Sequence, residues 1–172
     1  MEGKQMILTG FLTLGMMALL FLAILTATLT LPSKALAKNF PADVQERLAP
    51  RLDNLPMSGK RILGILMLIL LAAGMLGLVL WGGVDGIHNG YSFWDFLIRF
   101  LIMFGGWKAF DIIALDFILL TKTQFFQHFF PETKGCAGWK DFGFNRRQQI
   151  RHCIAIPFYC SALAGIFTLI AL

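Results

Sequence analysis

Four long apolar stretches, at about 6–31, 62–84, 93–120 and 153–172, leave this 172-residue chain few ways to fold. Each is about 20 residues or longer, and at 1.5 Å per residue a helix of that length crosses a hydrocarbon core of about 30 Å. The stretches are continuously apolar and do not alternate, which disfavours strands, and an open sheet edge has no hydrogen-bond partners in lipid. With 57% apolar and 15% charged residues, the composition lies outside the range of soluble globular domains. The expectation is an all-α, single-domain integral membrane protein, a four-helix bundle with residues 32–61 and 121–152 as its long loops. Ala35-Leu36-Ala37 fits a signal-cleavage pattern. The run before it is too long for a signal core and MEGKQ is nearly neutral, so the first stretch is read as a retained span.

Charge sets the expected orientation. Lys34, Lys38, Arg47, Arg51, Lys60 and Arg61 follow the first stretch, and Lys122, Lys134, Lys140, Arg146, Arg147 and Arg151 follow the third. The middle connection, GGVDGIHNGYS, has neither Lys nor Arg. Basic residues at span ends favour the cytoplasmic side, so both long loops are expected there and both termini outside, in a multi-pass protein of a prokaryotic inner (plasma) membrane. This topology accounts for the net charge of +5, and no nucleic-acid motif is present, so nucleic acid is not expected as a partner. Cys136, Cys153 and Cys160 form no CxxC and are expected as free thiols. No metal-ligand set or cofactor motif is visible, so neither a metal nor a cofactor is expected.

In the first long loop, Val44, Leu48, Leu52 and Leu55 recur at nearly helical spacing. That pattern predicts a short amphipathic helix on the cytoplasmic surface, its leucines dipped toward acyl chains and Pro50 breaking or kinking it. In the second, Phe125, Phe126, Phe129 and Phe130 are expected to extend the third span into the headgroup zone as far as Pro131. Asn145 followed by Gln148 reads as a capped helix start. Arg146, Arg147 and Arg151 then gather near the first turns of the last helix, where they can hold a phosphate or a lipid headgroup or act only as the positive-inside collar. Ala73 with Gly77, and Ser161 with Gly165, are small residues four apart suited to close helix contacts or to a homodimer. Pro157 is expected to kink the last helix.

The third stretch is the unusual one, because Arg99, Lys108, Asp111 and Asp116 interrupt it. On insertion scales these would together cost on the order of 12 kcal/mol, against about 7 kcal/mol returned by the Leu, Ile, Phe and Met residues between 96 and 120. The helix must therefore turn its charged side to protein or water. At 100° per residue, Lys108 and Asp111 lie about 60° apart one turn along and can pair, as can Asp95 and Arg99. Asp116 lies about 80° from Lys108. Gly105-Gly106 either break the helix into halves or let another backbone approach.

An intramembrane ionisable residue marks a pathway or a site, or fixes helix register. The first expectation is a transporter or channel-like carrier of a small charged solute, with Arg99, Lys108, Asp111 and Asp116 as its binding residues. The second is a membrane enzyme or binding protein for a lipid or isoprenoid phosphate headgroup. There Arg146, Arg147 and Arg151 would hold the phosphate, and His128, Glu132, Asp141 or His152 would serve as acid or base. The third is an accessory subunit of a larger membrane complex. Membrane lipids are expected partners in all three.

Overall fold

The computed structural model describes residues 3–31, 34–53, 56 and 58–172, and every element among them is helical. Helix α1 runs Gly3–Thr30, α2 Lys34–Ala37, α3 Ala42–Asp53, α4 Gly59–His88 and α5 Phe93–Phe110. The chain continues from α5 without interruption into a π-helical segment, Asp111–Lys122, followed by α6 at Phe125–Phe129 and α7 at Arg146–Ile170. Helices α1, α4 and α7 are each long and apolar enough to cross a membrane. Their outward faces are covered with Leu, Ile and Phe, from Phe11 on α1 and Leu70 on α4 to Leu169 on α7. In water such a surface would aggregate, so it identifies a membrane protein. The unit formed by α5 and the π segment is comparably long but carries the ionisable residues.

Helix α1 packs on α4 and α5, α5 packs on α7, and α4 touches α5 and α7 more lightly. One end of the bundle, here the turn end, holds the short connection Asn89–Ser92. Gly90 makes this turn with φ +65°, which glycine adopts without strain. Ser92 and Asp95 then cap α5 reciprocally: Ser92 Oγ accepts from the Asp95 amide at 3.3 Å, and the Asp95 carboxylate accepts from the Ser92 amide at 3.2 Å. The core at this end is Phe96, Phe100, Met103 and Phe167 with Leu12 and Met16. Phe167 fits because position 83 is glycine, where a Cβ would stand 2.1 Å from its ring.

At the other end, the loop end, α2, α3, α6 and their connections form a second core of Phe40, Val44, Leu48, Phe126, Phe130 and Trp139. Phe40 meets the rings of Phe126, Phe130 and Trp139 edge-on at 4.9 to 6.0 Å. Helix α3 is amphipathic as expected, but its apolar face does not dip into lipid. Val44 and Leu48 are fully buried against protein, because the aromatic residues of the second long loop offer a dry surface that acyl chains need not supply. Two polar ties hold the same contact, Arg51 to Glu132 at 2.9 Å and the Gly138 amide to Asp43 at 2.9 Å. Leu55 lies outside the described residues, and α3 runs three residues past Pro50 before it ends.

Other expectations change in detail. Thr123, with extended backbone (φ −98°, ψ 161°), ends the π segment. Phe126 and Phe130 therefore turn into the loop-end core instead of prolonging a span into the headgroup zone. The helix does not break at Gly105-Gly106; Gly106 lets Thr13 and Met17 of α1 approach, a Cβ there standing 2.6 Å from Thr13 Cγ2. Gly77 and Gly165 face open space, so close contacts within the chain are made by Gly64, Gly83 and Gly86 instead. Helix α7 passes through Pro157 as one element.

Candidate functional site

Arg99, two helical turns beyond the Ser92 cap, is completely buried. Its Nη1 donates to the Asp85 carboxylate at 2.7 Å and to the Gly82 carbonyl at 2.6 Å, Nη2 donates to the Tyr91 hydroxyl at 2.5 Å, and Nε to Thr9 Oγ1 at 3.2 Å. The sequence offered Asp95 as the partner, four residues away on the same helix. That carboxylate is engaged with Ser92, and the ion pair goes to Asp85 on α4. The Ser92-x-x-Asp95 pattern before an apolar run is itself a capping signature, and it could have removed Asp95 from consideration. Burial pushes the Tyr91 hydroxyl above the usual phenol range even with the Arg99 guanidinium beside it. The node ties α1, α4, α5 and the turn together, with four of the five guanidinium N–H groups used.

Nine residues along α5, about 14 Å at helical rise, the surroundings change. Lys108 is buried at 5% exposure and its Nζ meets Asp111 Oδ2 at 2.5 Å, the i, i+3 pair that the spacing implied. Asp116 accepts from Asn145 Nδ2 at 2.8 Å and from Gln149 Nε2. All three ionisable residues border one cavity of about 240 Å³, together with Asn145, Gln149 and His152. Arg99 does not border it.

The π segment is what brings the two aspartates together. In an α-helix five residues rotate a side chain by about 140°; in a π-helix the backbone bonds join i to i+5, so residues five apart lie nearly above one another. Asp111, Leu115, Asp116 and Leu120 accordingly all line the cavity, whereas α winding would turn Leu120 to the far side. The remaining wall is aromatic, from Phe40, Trp107, Phe126 and Phe144. Two buried polar atoms among these residues have no hydrogen-bond partner, Trp107 Nε1 and Gln149 Oε1. An unfilled hydrogen-bonding capacity of this kind costs free energy until something meets it.

Two further concavities adjoin. An apolar groove of about 660 Å³ between the π segment and α7 is lined by Ile112, Phe142, Ile150 and Ile154, with Asn145, Arg146 and Gln149 at its polar edge. A broad cleft of about 1020 Å³ on the loop face gathers Lys38, Arg146, Arg147 and Arg151. The three arginines expected at an anion site thus line one surface. Asn145 stands at the N-cap of α7, yet its side chain makes no capping bond; it binds Asp116 and borders all three concavities. Neither Asn145 nor Gln149 was legible as a site residue, because their partner is 29 or more residues away in sequence. His128 is exposed, Glu132 is tied to Arg51, and Asp141 accepts from the Gly143 amide; of the acid-base candidates, only His152 borders the cavity. No group of His, Cys, Asp or Glu among the described residues could hold a metal ion. No protein-family model, curated protein or solved structure matches the chain.

Proposed function

We propose that the chain is a membrane-embedded binding protein whose loop-end concavities together receive the charged head of an amphiphile, a lipid or isoprenoid phosphate, with the phosphate on the basic cleft. The observation that carries this reading is the shared wall at Asn145, where a polar cavity, a basic cleft and an apolar groove meet. A soluble ligand needs only the first two. In this reading α5 and its π continuation form a fourth span, the loop end is cytoplasmic by its basic residues, and both termini lie outside, in an inner (plasma) membrane. The outward-facing Ala73, Gly77 and Ser161 leave room for a second copy to pack against α4 or α7. Native mass spectrometry of protein extracted in mild detergent tests the proposal. Wild type should retain a phosphate-bearing lipid, and the triple variant Arg146→Gln, Arg147→Gln, Arg151→Gln should lose it; equal retention by both sinks the assignment.

A carrier of a small charged solute is the second reading, supported by the Lys108–Asp111 pair at the depth of the spans. The cavity would then be the side open to the cytoplasm, with Phe96, Phe100 and Phe167 closing the way outward. Asp116 would serve as the inner step. Arg99 as an outer step would have to release the four hydrogen bonds of its node. Lys108→Met should abolish uptake into proteoliposomes, and uptake at the wild-type rate would exclude a carrier site at this pair.

A further inference from the structure

The three concavities differ in the charge they need, and together they specify the ligand more narrowly than "charged head". Within the cavity, Lys108 is matched by Asp111 at 2.5 Å. Asp116 is held by the amides of Asn145 and Gln149, which hydrogen-bond a carboxylate without neutralising it. Among the described residues no ion pair reaches Asp116, so its carboxylate stands partly enclosed with no cation in contact, where compensation by a cation is worth more than in water. Gln149, with Nε2 turned to Asp116, leaves Oε1 buried as an acceptor without a donor. Trp107, Phe40, Phe126 and Phe144 supply aromatic faces around the same space. A carboxylate, an idle carbonyl oxygen and π faces meet the requirements of an ammonium group, while the idle Trp107 Nε1 donor is left for an acceptor oxygen carried beside it. A phosphate there would meet a like charge.

The cleft has the opposite requirement. Its two acids, Asp43 and Asp141, accept backbone amides and are outnumbered by the four basic residues of the same lining. Lys38, Arg146, Arg147 and Arg151 are exposed and in excess, which suits a phosphate. The cleft shares Gly143 and Arg146 with the apolar groove, and Phe40, Phe144 and Gln148 with the cavity. It is thus placed for the middle of a molecule whose two ends occupy the other two spaces.

Resting on the headgroup reading above, we infer that the ligand is a zwitterionic phospholipid with an ammonium-bearing head. Its ammonium enters the cavity at Asp116, its phosphodiester lies on the arginines of the cleft, and an acyl chain lies in the groove along Ile112, Ile150 and Ile154.

Delipidated full-length protein, offered an equal mixture of phosphatidylethanolamine and phosphatidylglycerol and read by native mass spectrometry, tests this. Wild type should prefer the ethanolamine lipid by about tenfold, the factor expected for about 1.4 kcal/mol. Asp116→Asn should erase the preference by lowering the ethanolamine lipid to the level of the glycerol lipid. Gln149→Met, which keeps the charge and removes the idle acceptor, should reduce it less. Arg147→Gln with Arg151→Gln should weaken both lipids alike. A wild type that binds the glycerol lipid equally or better overturns the ammonium assignment and leaves the headgroup reading standing. A wild type that retains neither lipid overturns both. Soluble phosphoethanolamine that displaces the lipid at equal concentration overturns the role of the groove and makes the ligand a solute.

Discussion

Arg99 and Lys108 stand on one helix about 14 Å apart, both withdrawn from solvent, and their surroundings are opposites. Around Arg99 the donors meet a carboxylate, a carbonyl and two hydroxyls from three other parts of the chain, and large side chains fill the neighbouring space. Around Lys108 the ion pair borders a cavity, two polar atoms nearby are idle, and a second carboxylate makes no ion pair among the described residues. Burial of a charge alone therefore does not identify a site. A charge whose hydrogen bonds and countercharge are complete fixes the arrangement of helices; one whose surroundings are incomplete is prepared for something else.

This contrast can be broken by experiment. Arg99→Met should do the most damage, because it removes a fully buried guanidinium and strands the Gly82 carbonyl, the Tyr91 and Thr9 hydroxyls and the Asp85 carboxylate together; a loss of about 3 to 5 kcal/mol is expected, read as a collapse of thermal stability in detergent. A melting temperature near wild type would mean that the node is not structural. Leu48→Ala asks whether the loop end is loosely packed throughout or open only at the cavity. A fully buried leucine in the second core should cost about 3 kcal/mol, whereas a leucine dipped into lipid would cost far less. Gly83→Ala drives a methyl into the Phe167 ring, and about 2 kcal/mol of overpacking should follow. Gly77→Ala, which meets open space, provides the control with no loss. Lys108→Met should cost least, about 1 kcal/mol or less, since it breaks one ion pair at the wall of a cavity where Arg99→Met breaks four hydrogen bonds at once. Its effect should fall on ligand binding or uptake instead. A Lys108→Met protein as unstable as Arg99→Met would erase the distinction between the two regions.

Much of the frame is legible in the residues. The apolar stretches mark α1, α4 and α7 as long enough to span, the insertion cost of the third stretch requires its charges to be enclosed, and the spacing of Lys108 and Asp111 gives their pairing. What escapes is whatever depends on winding or on distant partners. The apolar pattern of the third stretch carries no mark of a change in winding, so the turn from α to π after Phe110 is invisible, and with it the placing of Asp116 beside Asp111. Asp85 escapes because local spacing favours Asp95. Asn145 reads correctly as a helix start, yet its side chain leaves the cap for Asp116. The aromatic residues of the second long loop resemble interface anchors in composition, and only the position of α3 makes them a core.

The docking of α3 on Trp139, Phe126 and Phe130 has a consequence for the order in which the protein can be made. The first long loop emerges from the ribosome well before the second, so Val44 and Leu48 have no surface to cover until the chain has been made as far as Trp139. The cavity walls contributed by Phe40 and by Asn145 and Gln149 come from these two halves of the chain. The cavity is therefore closed only after the start of α7 has been made, and a nascent chain halted before α7 holds the residues of the loop-end core without the wall that Asn145 and Gln149 supply.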